Sequence, residues 1–220
     1  MTEAMEWLQA RNWSQLQADC WLSPGPRMNA TLEDFRLRDD FIPKFGFAVL
    51  TDHIVRELLP LSPFVEVGAG SGYWSYELRR AGAIAEPTDP QTGKYFFGGK
   101  SQNWPSPYCH VEKLTGVEAV AKYPHHTLLT VWPDMQPETW PYDTLAAYQG
   151  DTVIYVGESD GGCTADERFH KLLEERFDDV ETLHVPQFWG IHDYLSIYRR
   201  KNRPKRNITL EKEAHGMPVL

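Results

Sequence analysis

The residues best suited to ligand chemistry form a glycine-rich segment between an apolar run and an amphipathic one. Gly68, Gly70 and Gly72 alternate with other residues, and Glu66 stands two positions before the first of them. Glycine adopts backbone conformations closed to other residues and, having no Cβ, lets a ligand approach the main chain closely. A helix predicted from Tyr73 onward would present free N–H groups to the polar part of a nucleotide-like molecule. The segment therefore predicts a binding loop for such a ligand.

The spacing of these glycines argues against two familiar nucleotide-binding loops. The dinucleotide fingerprint G-x-G-x-x-G requires glycine at position 73, where Tyr73 stands. A P-loop requires lysine and then serine or threonine after its last glycine, whereas Trp74 follows Tyr73 here. A glycine turn in an unrelated α/β protein is the remaining alternative.

Strand and helix patterns alternate after Pro63, which predicts a mostly parallel sheet covered by helices on both faces. No helix separates the last two strands, so the last strand should run antiparallel. Pro87 suits an edge strand or a strand end. Residues 90–107 are rich in Gly, Pro, Asn and Ser and are predicted to form a long loop. The predicted strands are 64–67, 83–88, 108–111, 127–131, 152–156, 180–185 and 194–198.

Helices are predicted from caps and from apolar periodicity. Thr51 or Asp52 caps a helix that stops at Pro60. The tetrad 164–167, Thr-Ala-Asp-Glu, matches a capping box and should open a helix that is apolar on one face. Further helices are predicted at 73–80, 116–123 and 143–148.

The order apolar–apolar–acid–x-Gly-x-Gly-x-Gly at 64–72 resembles motif I of the class I S-adenosylmethionine (SAM)-dependent methyltransferases. The resemblance covers roughly residues 45–200. More narrowly, the chain resembles uncharacterised bacterial methyltransferase-like proteins. It implies an α/β, Rossmann-like fold, with a mostly parallel seven-stranded sheet, an antiparallel last strand and helices on both faces. It also implies SAM as cofactor and S-adenosylhomocysteine (SAH) as product.

In that family the glycine loop lines the methionine and ribose part of SAM, and the acid before it, here Glu66, supports the loop and the amino group of the cofactor. An acid at the end of the next strand accepts hydrogen bonds from both ribose hydroxyls, a task suited to a carboxylate. Asp89 lies at the expected distance, and Glu86 is the alternative. The cofactor-binding residues implied are Glu66, Gly68, Ala69, Gly70, Gly72, Tyr73, Glu86, Asp89, His110, Val111 and Trp132.

Candidate catalytic residues follow later strands, because ligands of open α/β sheets lie at the carboxyl ends of the strands. Glu158 is a candidate base or acceptor contact, and a surface turn acid is the alternative. Asp134 could orient an amine or hydroxyl, and His192 precedes Asp193 in the loop between the last two strands. Trp132 could form the floor of an acceptor pocket or belong to the core.

The segment 132–135, Trp-Pro-Asp-Met, departs from the acid-or-Asn, Pro, Pro, aromatic motif of amino-methylating enzymes. Methylation of nucleobase amino groups therefore loses support. A net charge of −9 further disfavours a nucleic-acid substrate in the absence of a local basic groove.

Composition and length favour one globular domain in 220 residues. No stretch has the apolar length of a membrane span, and the N-terminus lacks a signal-peptide pattern. The thiols Cys20, Cys109 and Cys163 show neither zinc-ligand nor disulfide spacing. We therefore expect a cytoplasmic protein with free thiols and no metal site.

Three segments are predicted: a helical segment at 1–62 that packs on the domain and caps the site, a SAM-binding domain at 63–200, and a basic tail at 201–220. The favoured function is methyl transfer to a small molecule over a protein or a nucleic acid, because 8 Trp, 10 Tyr and 10 Phe suit an enclosed apolar pocket. A non-catalytic SAM/SAH-binding module or sensor subunit is the alternative. A nicotinamide oxidoreductase is disfavoured by Tyr73. Monomer and homodimer both remain open.

Overall fold

The computed structural model describes residues 1–11, 13, 32–91, 93–98, 100–135 and 139–201. No helix in these ranges is long and apolar enough to cross a membrane. The helices are α1 (Glu3–Gln9), α2 (Leu32–Phe45), α3 (Asp52–Leu58), α4 (Tyr73–Arg80), α5 (Gly116–Lys122), α6 (Trp140–Ala147) and α7 (Glu167–Arg176). The strands are β1 (Phe64–Val67), β2 (Ala85–Thr88), β3 (Lys94–Phe97), β4 (Lys100–Asn103), β5 (Thr127–Val131), β6 (Thr152–Gly157), β7 (Phe177–His184) and β8 (Tyr194–Arg200).

The main sheet has the strand order β2-β1-β5-β6-β8-β7. Strands β2, β1, β5 and β6 pair in parallel, whereas β8 runs antiparallel to both of its neighbours. The predicted mostly parallel sheet with an antiparallel last strand is confirmed, and the fold is the Rossmann-like one that the resemblance implies. Strand β2 lies at the sheet edge, the position that Pro87 favours.

Among the described residues the main sheet has six strands and not the predicted seven, because residues 108–111 do not form a strand. The chain reaches β2 only at Glu112, whose N–H donates to Pro87 O at 2.9 Å and whose carbonyl accepts from Asp89 N at 3.0 Å. Just before this point, Tyr108 N donates instead to Ser71 O at 2.9 Å. That bond holds the segment over the glycine loop and away from the strand edge, which leaves a six-stranded sheet.

The prediction of a long loop at 90–107 is also wrong in part, because the segment contains the antiparallel hairpin β3–β4. Trp104 follows the hairpin, is buried, and donates from its indole Nε1 to Lys94 O at 3.0 Å. The two strands read Lys-Tyr-Phe-Phe and Lys-Ser-Gln-Asn, and neither shows the alternation of apolar and polar residues that predicts a strand.

The predicted capping box at 164–167 is also wrong. Helix α7 is capped by Asp166, whose Oδ1 accepts from Phe169 N at 2.9 Å. Thr164 Oγ1 accepts instead from Glu158 N at 2.7 Å. The Thr164 hydroxyl therefore makes a tertiary contact with Glu158 and does not cap the helix.

Two apolar cores cover the two faces of the sheet. Along β6, Ile154 belongs to the core shared with the N-terminal helices and α4, whereas Val153 belongs to the core beneath α5, α6 and α7. Successive residues of a strand point to opposite faces, so this alternation sorts the two cores. Leu8 of α1 and Phe41 of α2 are fully buried in the first core, which fixes the N-terminal helices on that face.

The basic residues near the C-terminus lie partly in the sheet. Arg199 and Arg200 belong to β8, and the Arg200 side chain donates to Gly150 O and Tyr148 O at 2.7 and 2.9 Å. Beyond residue 201 the predicted tail lies outside the described residues, as does Cys20, whereas Cys109 and Cys163 are free thiols.

Candidate active site

The glycine loop joins β1 to α4 at the carboxyl edge of the sheet. Gly68, Gly70 and Gly72 have φ values of +73°, +55° and +74°, in the left-handed region that disfavours other residues. The N–H groups of Gly68 and Ala69 both donate to Thr88 O at 3.0 Å, which ties the loop to the end of β2. The backbone conformation alone therefore favours glycine at all three positions.

Glu66 lies behind the loop and is buried. Its Oε2 accepts from both Ser75 N and Ser75 Oγ, at 3.0 and 2.5 Å, and so links β1 to α4. Burial raises the pKa of Glu66 to about 7, while the hydrogen bonds from Ser75 oppose the rise. The Glu66 side chain therefore ties the first turn of α4 to β1.

Asp89 lies directly beyond β2 and faces the same loop. Its Oδ2 accepts from Gly70 N at 3.1 Å and its Oδ1 from Gln91 N at 2.7 Å. Burial raises the pKa of Asp89, and these two backbone N–H groups lower it. The alternative, Glu86, lies within β2 and bonds Arg79 at 3.3 Å, so the geometry favours Asp89.

Two tryptophan rings flank the glycine loop. A Cβ added to Gly70 would lie 2.9 Å from Trp104 Cζ2, and one added to Gly68 would lie 2.9 Å from Trp140 Cη2. The Trp104 ring also packs on Tyr95, with ring centroids 4.2 Å apart. Sequence reasoning missed both indoles, because one follows an unpredicted hairpin and the other precedes the predicted start of α6.

Of the other predicted cofactor-binding residues, Val111 and His110 lie at the glycine loop, whereas the Tyr73 side chain lies in the core. Val111 packs on the loop, since a Cβ on Gly72 would meet its Cγ2 at 3.0 Å. His110 is exposed beside it. The Tyr73 side chain is instead buried in the first core, where its hydroxyl accepts from Ala4 N at 2.9 Å. Only the main chain of Tyr73 can therefore meet a ligand at the loop.

Trp132 directly follows β5 in a conformation that is rare for a bulky residue, with φ at +51°. Its indole Nε1 donates to Asp193 Oδ2 at 2.8 Å. Its ring stacks on Phe47, with centroids 5.7 Å apart and planes 19° apart. Backbone strain of this kind persists where surrounding contacts impose it, and it concentrates at functional sites.

Glu158 is buried and holds two loops together. Its Oε2 accepts from Cys163 N at 2.7 Å and its Oε1 from His192 N at 2.9 Å. With both oxygens engaged by main chain, the geometry favours a supporting role over that of a base. Asp134 is exposed and accepts from Trp140 Nε1 at 3.2 Å.

Two charged residues that were not predicted as site residues lie beside Trp132. Asp193 is only 1% exposed, and burial raises its pKa to about 7. Arg38 of α2 places its guanidinium over the rings of Phe97 and Trp132, 5.6 and 5.4 Å from their centroids. Burial lowers the pKa of Arg38, and the charge of Asp193 opposes this. In the sequence, only the adjacency of His192 and Asp193 pointed to Asp193, and nothing pointed to Arg38.

Comparisons with known proteins add structural neighbours only. No family model and no curated protein matches the sequence. Magnesium protoporphyrin IX methyltransferase from Synechocystis PCC 6803, solved with bound SAM, is 14% identical, with a TM-score of 0.49 over 91% of this chain and 98% of that one. The 1,6-didemethyltoxoflavin-N1-methyltransferase of Burkholderia thailandensis is 17% identical, with a TM-score of 0.48 over 82% of this chain and 95% of that one. The fold assignment rests on the strand order and the glycine loop of this chain.

Proposed function

We propose that the chain is a SAM-dependent methyltransferase that acts on a small-molecule acceptor. The observation that carries the proposal is the bond from Gly70 N to Asp89 Oδ2, 3.1 Å long, within a loop of three left-handed glycines. It places a carboxylate at the end of β2, against the backbone of the glycine loop. That carboxylate supplies the acceptor that the hydroxyls of a ribose require.

The residues at the loop fit SAM in their chemistry. Asp89 would accept from the ribose hydroxyls, since each carboxylate oxygen can accept more than the one bond it now receives. Trp104 and Trp140 place aromatic rings beside the loop, and such rings attract cations, a sulfonium included. When bound, the cofactor supplies an electrophilic methyl group.

The remaining contribution of the chain is to position the acceptor and exclude water, which provides much of the rate in displacement reactions. Phe47 and Arg38 reach the end of β5 from the N-terminal part of the chain, where both contact Trp132. We extend the proposal to this part of the predicted 1–62 segment, which caps the acceptor side of the site.

Ligand-dependent melting of the full chain tests the proposed function. At about 100 times its Kd, SAM or SAH should stabilise the fold by about 2.7 kcal/mol, which raises Tm by roughly 5–10 °C. NADH should leave Tm unchanged. Asp89→Ala should abolish the shift, whereas the matched control Glu86→Ala should retain it.

Failure of both SAM and SAH to shift Tm would overturn the proposal, and a shift with NADH alone would favour an oxidoreductase. SAM binding without SAH release across a broad acceptor panel would favour the non-catalytic module instead.

A further inference from the structure

Two buried polar atoms beside Trp132 have no hydrogen-bond partner in the described part of the chain. One is the acceptor Asp193 Oδ1, and the other is the donor Arg38 Nε. Folded proteins leave few buried polar groups unpaired, because each such group loses its bonds to water without replacement. A ligand that offers one donor and one acceptor would satisfy both atoms.

The side chains around these atoms are aromatic. Phe47 stacks on Trp132 and meets Phe97 edge-on, with ring centroids 6.1 Å apart. We name Arg38, Phe47, Phe97, Trp132 and Asp193 the acceptor cluster. All but Asp193 are half-buried, so the cluster borders solvent. Aromatic side chains with a few placed polar groups are typical of small-molecule sites.

We propose that the acceptor cluster binds a planar aromatic compound whose hydroxyl donates to Asp193 and whose second oxygen accepts from Arg38. This inference rests on the proposed function and names the substrate class of the same site. It assigns Asp193, in place of Glu158, as the residue that touches the reacting group.

The step that follows balances in atoms and electrons. The acceptor oxygen forms a bond to the methyl carbon as the carbon–sulfur bond of the sulfonium breaks, and sulfur keeps that electron pair. The oxygen–hydrogen bond breaks, and its proton passes to Asp193 Oδ1. A carboxylate whose pKa burial raises to about 7 accepts that proton more readily than an ordinary aspartate.

The charged and titratable groups that face Asp193 come from three elements. Arg38 approaches from α2, Glu158 from the loop after β6, and Tyr155 from β6 itself. The positive charge of Arg38 lowers the pKa of Asp193, whereas the negative charge of Glu158 raises it. Both neighbours must therefore remain intact in any variant used to measure the pH response of Asp193.

Binding of two matched fluorescent probes tests the aspartate contact. The probes are 2-naphthol, which carries a hydroxyl donor, and 2-methoxynaphthalene, which does not. The wild type should bind 2-naphthol at least tenfold more tightly than 2-methoxynaphthalene. Asp193→Asn should remove this preference, because the carboxamide can accept from Trp132 but then turns its NH₂ toward the hydroxyl. The exposed control Asp160→Asn should retain the preference.

The arginine contact is tested with 3-hydroxy-2-naphthoate, which adds an anionic oxygen. The wild type should prefer it to 2-naphthol, and Arg38→Met, which keeps the apolar stem, should lose that preference. Equal affinity of the wild type for 2-naphthol and 2-methoxynaphthalene would overturn the inference. SAH binding by the same samples separates the two proposals, because retained SAH binding without probe preference leaves the proposed function standing.

Discussion

At the β1–β2 side of the sheet, both buried carboxylates are bonded by the chain itself. Glu66 receives two hydrogen bonds from Ser75, and Asp89 receives backbone bonds from Gly70 and Gln91. At the β5–β8 side, Asp193 has one oxygen bonded and one without a partner among the described residues. Arg38 Nε is likewise buried and unpaired there.

The difference indicates how each region is prepared for its ligand. A loop whose polar groups are already satisfied keeps its shape without ligand, and such preorganisation lowers the entropic cost of binding. A cluster with an unmet donor and an unmet acceptor loses stability until a ligand supplies both. Substitutions should therefore destabilise the fold at the first region and can stabilise it at the second.

The largest effect on stability is expected at Glu66. Glu66→Ala leaves the two buried donors of Ser75 without an acceptor, so it should lower the free energy of unfolding by about 2–4 kcal/mol. Glu66→Gln keeps one acceptor oxygen and should cost less than half as much. Urea denaturation of both variants measures the difference. Equal losses would show that the bonds to Ser75 do not stabilise the loop.

Next in size is Gly70→Ala, compared with Gly82→Ala. Both glycines have positive φ, so each substitution should cost about 1–2 kcal/mol in backbone strain. Only at Gly70 does the new Cβ meet a ring, that of Trp104 at 2.9 Å, whereas Gly82 has nothing within 4 Å. Gly70→Ala should therefore be the less stable variant and should alone lose SAH affinity. Comparable SAH binding by the two variants would contradict the assigned loop.

Asp193 should have the opposite effect on stability. Its folded pKa of about 7 lies above the value of about 4 for an unfolded aspartate, so the folded state binds the extra proton between these values. Stability from this group is present at low pH and is lost as pH rises toward 7. Asp193→Asn should remove that loss and exceed the wild type by on the order of 1 kcal/mol at pH 8. A variant that is less stable than the wild type at pH 8 would assign Asp193 a structural role.

The smallest effect is expected at Glu86. Its ion pair with Arg79 is solvent-exposed, and such pairs contribute roughly 0–1 kcal/mol. Glu86→Gln should change the free energy of unfolding by less than about 0.5 kcal/mol and leave SAH affinity within about twofold. A large loss of SAH affinity would return Glu86 to the cofactor site in place of Asp89.

The sequence predicted the glycine loop and the elements on either side of it well, because their signals are local. Strand β1, the three glycines and helix α4 are contiguous, and each shows its own pattern of apolar run, turn and helix start. Of the acceptor cluster only Trp132 was among the predicted site residues, because Arg38, Trp132 and Asp193 are far apart in the chain and only tertiary packing unites them. Thr164 illustrates the same point. Its sequence context matches a helix cap, but its hydroxyl accepts from Glu158 N, a tertiary contact that the local sequence does not reveal.

The two proposals share one requirement, which is that the glycine loop binds the cofactor through Asp89. Calorimetric titration of SAH into the wild type and Asp89→Asn measures this directly. We predict micromolar binding to the wild type and at least tenfold weaker binding to the variant, since the amide replaces one carboxylate acceptor with a donor. Undetectable binding to the wild type, or equal binding to both proteins, would contradict the assignment.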